Sequence, residues 1–150
     1  MARLVVVSNR VPPLEPRKEA AGGLAIALEE AVKQETLWFG WSGNTTAADP
    51  GLEPEIAAKK HLTIATLDLS EDEYRHFYLG FSNTALWPLL HYQPTVMEFL
   101  REDYQGYRAV NRRFALSLSP LLRPGDILFV PRGVLGKLQP MLDLLRFPVY

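Results

Sequence analysis

The sequence contains no cysteine, which excludes disulfide bonds, a thiol nucleophile and a thiolate metal site. Its formal net charge is only −1 at pH 7, which gives no electrostatic reason to expect binding to nucleic acid or an anionic membrane. No apolar run approaches the roughly 20 residues that cross a bilayer. The apolar run at residues 4–7 is also too short for a signal peptide. These absences predict a cytoplasmic protein without nucleic-acid or membrane partners.

What is present is typical of a globular protein. Hydrophobic residues make up 47% of the 150 residues and charged residues 22%. A chain of this length buries roughly 68–70% of its unfolded surface, which suffices for a core. We therefore expect one domain over residues 1–150.

The opening residues predict a strand, a loop, a glycine pair and a helix. Residues 4–7 are apolar and mostly β-branched, which favours a strand buried on both faces. A proline-rich loop at residues 11–19 leads to Gly22 and Gly23, where a helical pattern begins and continues to about Gln34. A helix N-terminus near the carboxyl end of a strand suits a phosphate, and the planar guanidinium of Arg10 could bind one in two places.

A simpler interpretation stays open for the same stretch. The two glycines could form only a turn, with Arg10 solvated. The dinucleotide fingerprint G-x-G-x-x-G is absent, so a nicotinamide or flavin site is not expected.

The remaining elements predict a parallel α/β sheet with right-handed crossovers. Residues 44–60 are polar with turn signals, and a capping box of Ser70 and Glu73 predicts a helix at 71–79. Pro88 should end a short helix or turn, Thr95 should cap the longest helix, and Gly106 in that helix indicates close packing or a bend. Strands are expected at 4–7, 37–41, 61–69 and 127–130, and the longest helix at 96–118.

Polar residues alone give no hydrolase or metal site. His61, His76 and His91 are scattered without ligand spacing, no serine lies in a nucleophile elbow, and we expect the histidines in the surface or core. The acidic run at 71–73 is predicted to be structural, because negative charge is favoured at a helix N-terminus.

Aromatic residues cluster near the predicted ends of strands and helices. Composition alone favours a core role for them, since aromatics dominate cores. The alternative is a set of flat walls against the apolar CH faces of a sugar. The residues concerned are Trp38, Trp41, Tyr78, Trp87 and Tyr92.

An ordered series of short motifs closely resembles the start of trehalose-6-phosphate synthases, from Met1 to about Val130. The motifs are Arg3-Leu4-Val5-Val6-Val7-Ser8-Asn9-Arg10, Ala21-Gly22-Gly23-Leu24, Leu37-Trp38-Phe39-Gly40-Trp41-Ser42-Gly43, Leu69-Ser70-Glu71 with Tyr78, Phe81-Ser82-Asn83, Leu86-Trp87-Pro88, His91-Tyr92, Gly106-Tyr107 and Asn111. Members of that family are much longer than this chain.

The resemblance implies the incomplete amino-terminal half of a GT-B glycosyltransferase, a Rossmann-like parallel sheet with flanking helices that holds the acceptor. Such enzymes transfer glucose from UDP-glucose to glucose 6-phosphate with retention, without a metal or other cofactor. By resemblance, Arg10 and Tyr78 contact the acceptor phosphate. Trp41 and Trp87 enclose the acceptor sugar, and Gly22 and Gly23 lie next to the donor.

The resemblance fails where an acceptor-site aspartate should follow the last strand. The family continues with a His-Asp-Tyr-His-Leu type stretch, whereas this chain has Pro131-Arg132-Gly133-Val134-Leu135. Arg132 thus takes the place of the carboxylate, and residues 131–150 form a divergent tail. We expect the chain to be inactive alone. The alternative is a non-catalytic protein that binds a sugar phosphate or associates with a complete synthase.

Overall fold

Five strands form one mixed sheet in the part of the chain that the computed structural model describes, residues 2–11 and 34–130. Its strand order is β3-β4-β2-β1-β5, with β3 antiparallel to β4 and all other neighbours parallel. The predicted α/β class is confirmed. The strands are β1 (Leu4–Arg10), β2 (Thr36–Thr46), β3 (Glu55–Lys59), β4 (Leu62–Ser70) and β5 (Ile127–Phe129).

Both faces of the central strands are buried, as predicted for β1. Alternate side chains point to opposite faces of a strand, so Val5 and Val6 enter two different apolar clusters. The larger cluster joins Phe39 of β2 to Phe77 and Phe114 of the helical layer. The central strands β1, β2 and β4 therefore form an interior layer, whereas the edge strands β3 and β5 are largely exposed.

Helices cover the face with the larger cluster. One continuous helical segment consists of α1 (Glu71–Glu73), a π-helix (Tyr74–Leu86) and α2 (Trp87–Leu90), and α3 (Arg101–Leu118) follows it. Short 3₁₀ turns lie at Pro94–Val96 and Ser119–Leu121. Of the described helices, none is long and apolar enough to cross a membrane.

The predicted capping box is confirmed. Ser70 Oγ accepts the backbone N–H of Glu73, and the Glu73 carboxylate accepts the backbone N–H of Ser70. The predicted stop at Pro88 is wrong, because the helical segment continues to Leu90. Pro88 is the second residue of α2, and the helical segment runs through it although proline supplies no backbone N–H there.

The predicted start of the longest helix is also wrong. Thr95 lies in a 3₁₀ turn, and α3 begins at Arg101 without a side-chain cap. The cause is a long-range contact: the Glu98 backbone N–H donates to the Thr84 carbonyl oxygen at 2.9 Å, and Thr84 Oγ1 donates back to the Glu98 carbonyl oxygen at 3.3 Å. These bonds hold the chain before α3 against the π-helix.

The polar stretch at 44–60 contains an edge strand that the sequence did not reveal. All five side chains of β3 are exposed. Its sequence therefore lacks the alternation of apolar and polar residues that indicates a half-buried strand. The close packing expected at Gly106 is confirmed, since a Cβ there would lie 2.5 Å from the Cβ of His76. Most of the predicted loop at 11–19, the predicted helix that starts at Gly23 and the tail at 131–150 lie outside the described residues.

Candidate functional site

The register of β1 against β2 places Arg10 beside Trp41. Their Cα atoms pair after an irregularity between Ser8 and Arg10, and the Val11 backbone N–H donates to the Trp41 carbonyl oxygen at 2.8 Å. The guanidinium carbon of Arg10 lies 5.5 Å from the centroid of the Trp41 ring. This distance is in the range of a cation–π contact. Arg10 itself is exposed, so its N–H donors remain accessible at the carboxyl end of β1.

Tyr78 reaches the same indole from the helical layer. Its ring centroid lies 4.7 Å from that of Trp41, in an edge arrangement of 65°. Tyr74, one helical turn earlier, lies 5.3 Å from Trp41 and stacks on Tyr78 at 5.5 Å and 24°. Three of the four predicted acceptor residues, Arg10, Trp41 and Tyr78, are thus brought together.

Trp41 is deeply buried, with only 3% of its surface exposed, and belongs to the larger apolar cluster. Its indole Nε1–H donates to the Asn44 carbonyl oxygen at 2.6 Å. Gly43 lies in the irregular part of β2 between Trp41 and Thr45, and its φ of +95° favours glycine.

Trp87 lies farther along the helical segment, in α2. Its half-buried ring stacks on His91, with centroids 4.3 Å apart and planes 19° apart. The structure gives it no ring contact with the Arg10, Trp41 and Tyr78 group within the described ranges. Its predicted role at the acceptor sugar stays a prediction, as do the roles of the other three residues.

Two hydrogen bonds near the strand ends involve residues that sequence reasoning gave no role. Asn9 Nδ2 donates to Ser82 Oγ at 3.3 Å, which joins β1 to the π-helix. Ser42 Oγ donates to Asp68 Oδ1 at 2.5 Å, which joins β2 to β4. Asn9, Ser42 and Ser82 all lie within motifs of the family resemblance, which was the only signal that pointed to them. Tyr74 carried no signal.

The acidic run at the start of the helical segment is structural, as predicted. The two carboxylate oxygens of Glu73 accept Nε–H and Nη2–H of Arg113, both at 2.8 Å. Arg113 also donates to the carbonyl oxygens of Gly51 and Asp68. Within residues 2–11 and 34–130, no three histidine, aspartate or glutamate side chains gather to hold a metal ion.

The histidines take the surface and core positions that were expected. His61 and His91 are exposed. His76 is half-buried between the π-helix and α3, with Nδ1 2.7 Å from Oδ1 of the buried Asp103. The remaining predicted residues, Gly22, Gly23 and Arg132, lie outside the described part of the chain.

The chain is similar to proteins of one family over most of its length. The model of glycosyltransferase family 20 matches residues 2–132. A trehalose-6-phosphate synthase of Sodalis glossinidius is 44% identical over 131 residues, which cover 87% of this chain and 28% of the relative. The chain thus spans little more than a quarter of the length of this curated relative.

Solved structures show the same partial match. An α,α-trehalose-phosphate synthase (UDP-forming) from Burkholderia xenovorans, in complex with glucose 6-phosphate, superimposes with a TM-score of 0.70 at 38% identity, over 85% of this chain and 27% of that one. An E. coli trehalose-6-phosphate structure bound with UDP-2-fluoro glucose gives a TM-score of 0.69 at 38% identity, over 86% of this chain and 27% of that one. The described sheet and helices therefore match the opening part of GT-B synthases.

Proposed function

Because the chain belongs to glycosyltransferase family 20, we propose that it forms the acceptor-binding part of a trehalose-6-phosphate synthase. In the proposed reaction, glucose passes from UDP-glucose to glucose 6-phosphate with retention, giving trehalose 6-phosphate and UDP. This chain would hold the glucose 6-phosphate. It spans 28% of the curated relative, so the donor site would be completed by residues beyond those matched here.

The observation that carries the proposal is the grouping of Arg10 and Tyr78 around one buried indole. Arg10 lies 5.5 Å from the Trp41 ring centroid, and Tyr78 lies 4.7 Å from it on another side. The Arg10 guanidinium supplies charged donors for phosphate oxygens, and the phenol of Tyr78, which packs against the same indole, can supply a neutral one. The phosphate group of the acceptor is the ligand that this pair suits best.

The proposed contribution of this chain to catalysis is positioning. The acceptor of a family 20 glycosyltransferase must be held with its reacting hydroxyl toward the donor. Such orientation accounts for a large part of the barrier reduction in two-substrate reactions. We assign no catalytic residue to this chain. The proposed donor contacts of Gly22 and Gly23 are through backbone, and no metal or other cofactor is invoked.

Isothermal titration with glucose 6-phosphate tests the acceptor site directly. Arg10→Ala should weaken binding by about 1.5–3 kcal/mol, since a hydrogen-bonded charge is lost. Tyr78→Phe should weaken it less, because only a neutral donor is removed. The matched control is Arg75→Ala, which removes an exposed arginine that pairs with Asp72 on the π-helix side. Equal affinities for the wild type and Arg10→Ala would remove Arg10 from the site.

A UDP-release assay separates the proposed function from the alternative. We expect the chain alone to bind glucose 6-phosphate and to release no UDP from UDP-glucose. Analytical ultracentrifugation would show whether the chain associates with a complete synthase. Association without any gain in UDP release would favour the alternative, in which this chain is a non-catalytic partner. Turnover by the isolated chain would contradict the assignment of the donor site to residues elsewhere.

A further inference from the structure

The indole of Trp41 is held rigidly from several sides. It is 3% exposed, its Nε1–H donates to the Asn44 carbonyl oxygen at 2.6 Å, and the rings of Tyr74 and Tyr78 lie 5.3 Å and 4.7 Å from it. A side chain this confined has little surface left for a sugar. Its contact with the exposed Arg10 is therefore the one through which it reaches the edge of the sheet.

Gly43 provides the space in which the Arg10 guanidinium lies. A Cβ at Gly43 would come within 2.9 Å of both Nε and Nη2 of Arg10. The guanidinium thus rests against a bare backbone on one side and lies near an indole ring on another. Both neighbours belong to β2, where its pairing with β4 is irregular between Trp41 and Thr45.

We propose that Trp41 is a positioning residue for Arg10, and that it supports phosphate binding through this cation–π contact without touching the sugar. The proposal rests on the proposed function, because it assigns the phosphate to Arg10. An arginine side chain has many rotamers, and ordering it upon binding weakens affinity. A guanidinium already held by a fixed ring loses less freedom when phosphate arrives.

Binding of inorganic phosphate distinguishes the two possible roles of Trp41, because this ligand has no sugar. Trp41→Leu should weaken phosphate and glucose 6-phosphate alike by about two- to fivefold, the factor that corresponds to a cation–π contact at an exposed site. The same change in an Arg10→Ala background should add no further loss. Weakening of glucose 6-phosphate but not of phosphate would overturn the proposal, since it would mean that Trp41 contacts the sugar.

The matched control is Trp38→Phe. Trp38 is a second buried tryptophan of β2, 4% exposed, whose indole N–H donates to Ser8 Oγ on the other face of the sheet. Ser8 Oγ also donates to the Arg10 carbonyl oxygen at 2.8 Å, a bond that does not involve the indole or the guanidinium. The variant should therefore cost stability comparable to that lost in the Trp41 variants without changing phosphate affinity. Trp41→Phe is the second test variant in case Trp41→Leu does not fold, and it should give a smaller loss because a phenyl ring keeps part of the cation–π contact.

A ligand-free measurement keeps this proposal separate from the proposed function. In a ¹H–¹⁵N spectrum, the Arg10 Nε–H proton should be displaced from its free-arginine position by the ring current of Trp41. Trp41→Leu should return it to that position, and Trp38→Phe should not. A free-arginine signal in the wild type would overturn the positioning role. A displaced signal in a chain that binds neither ligand would uphold the contact and contradict the proposed function instead.

Discussion

At the scale of single residues, Arg3 and Asp126 form a buried ion pair that ties the start of β1 to the turn before β5. Arg3 Nη2 lies 2.6 Å from Asp126 Oδ2, and Arg3 Nε lies 3.1 Å from Oδ1. The hydrogen bond from Arg3 lowers the pKa of the Asp126 carboxyl, and the backbone N–H of Arg123 lowers it further. The same pair raises the pKa of Arg3, which stays charged at every working pH.

We expect Asp126→Asn to destabilise the protein at neutral pH and to matter less in acid. A lowered carboxyl pKa contributes stability above the unfolded value near 3.8, and that contribution is lost as the pH falls through the folded value. Urea unfolding at pH 7 and at pH values below 4 measures the difference. Asp49→Asn, in an exposed turn, is the control. A wild-type advantage that stays constant into acid would contradict the role of the charge.

Gly106 in α3 shows how packing outweighs helix propensity. Alanine in place of glycine favours an open helix interior by up to about 1 kcal/mol. Here the new methyl would lie 2.5 Å from His76 Cβ, and such overpacking typically costs about 1–3 kcal/mol. We therefore predict that Gly106→Ala lowers the free energy of unfolding. Gln105→Ala, at an exposed neighbouring position, should change it by less than about 0.5 kcal/mol. If Gly106→Ala instead raised the free energy of unfolding, α3 and the π-helix would be able to move apart at no cost in stability.

At the scale of elements, the start of the helical segment combines a cap and an ion pair that substitution can separate. Ser70→Ala should cost about 0.5–2 kcal/mol, the usual loss for an N-cap. Glu73→Gln keeps a residue that suits a capping box but leaves the largely buried Arg113 without a charged partner. It should cost about 1–3 kcal/mol in urea unfolding. Glu71→Gln, at an exposed position, is the control, and equal stabilities of the two glutamine variants would show that the pair contributes nothing.

Local signals could be predicted from the sequence, whereas long-range pairings could not. Ser70 and Glu73 form the capping box that their spacing indicates. The start of α3 depends on bonds between Thr84 and Glu98, which no local pattern encodes. The π-helix also had no signal, since apolar spacing does not specify bonds five residues apart, such as the Trp87 N–H to the Ser82 carbonyl oxygen.

The candidate site was predictable in part for a similar reason. Arg10 follows the predicted strand at 4–7 and Trp41 ends the predicted strand at 37–41, and the carboxyl ends of parallel strands meet at one edge. Tyr78 was included through the family resemblance, which carries information on tertiary contacts. Composition favoured a core position for Trp41, but its ring contacts with Tyr74 and Tyr78 were not predictable, because the sequence does not show which aromatic side chains meet.

At the scale of the whole molecule, the position matching the family aspartate provides a test of activity. Arginine has no hydrogen-bond acceptor for a sugar hydroxyl, so Arg132 should impair the acceptor site. We expect a donor half supplied as a second chain not to restore UDP release. Pro131→His with Arg132→Asp should raise UDP release when the halves are mixed. Activity from the unchanged chain with the donor half would show that Arg132 is tolerated.

The position of Arg10 over Trp41 should also make the fluorescence of this tryptophan sensitive to anion binding. Indole emission responds to nearby charge, and the guanidinium carbon lies only 5.5 Å from the ring centroid. An anion that neutralises Arg10 should therefore shift the emission of Trp41, although the anion never touches it. The sequence has three tryptophans, so a variant carrying Trp38→Phe and Trp87→Phe would isolate this signal. Phosphate binding could then be followed in the unlabelled protein as a shift in the wavelength of maximum Trp41 fluorescence.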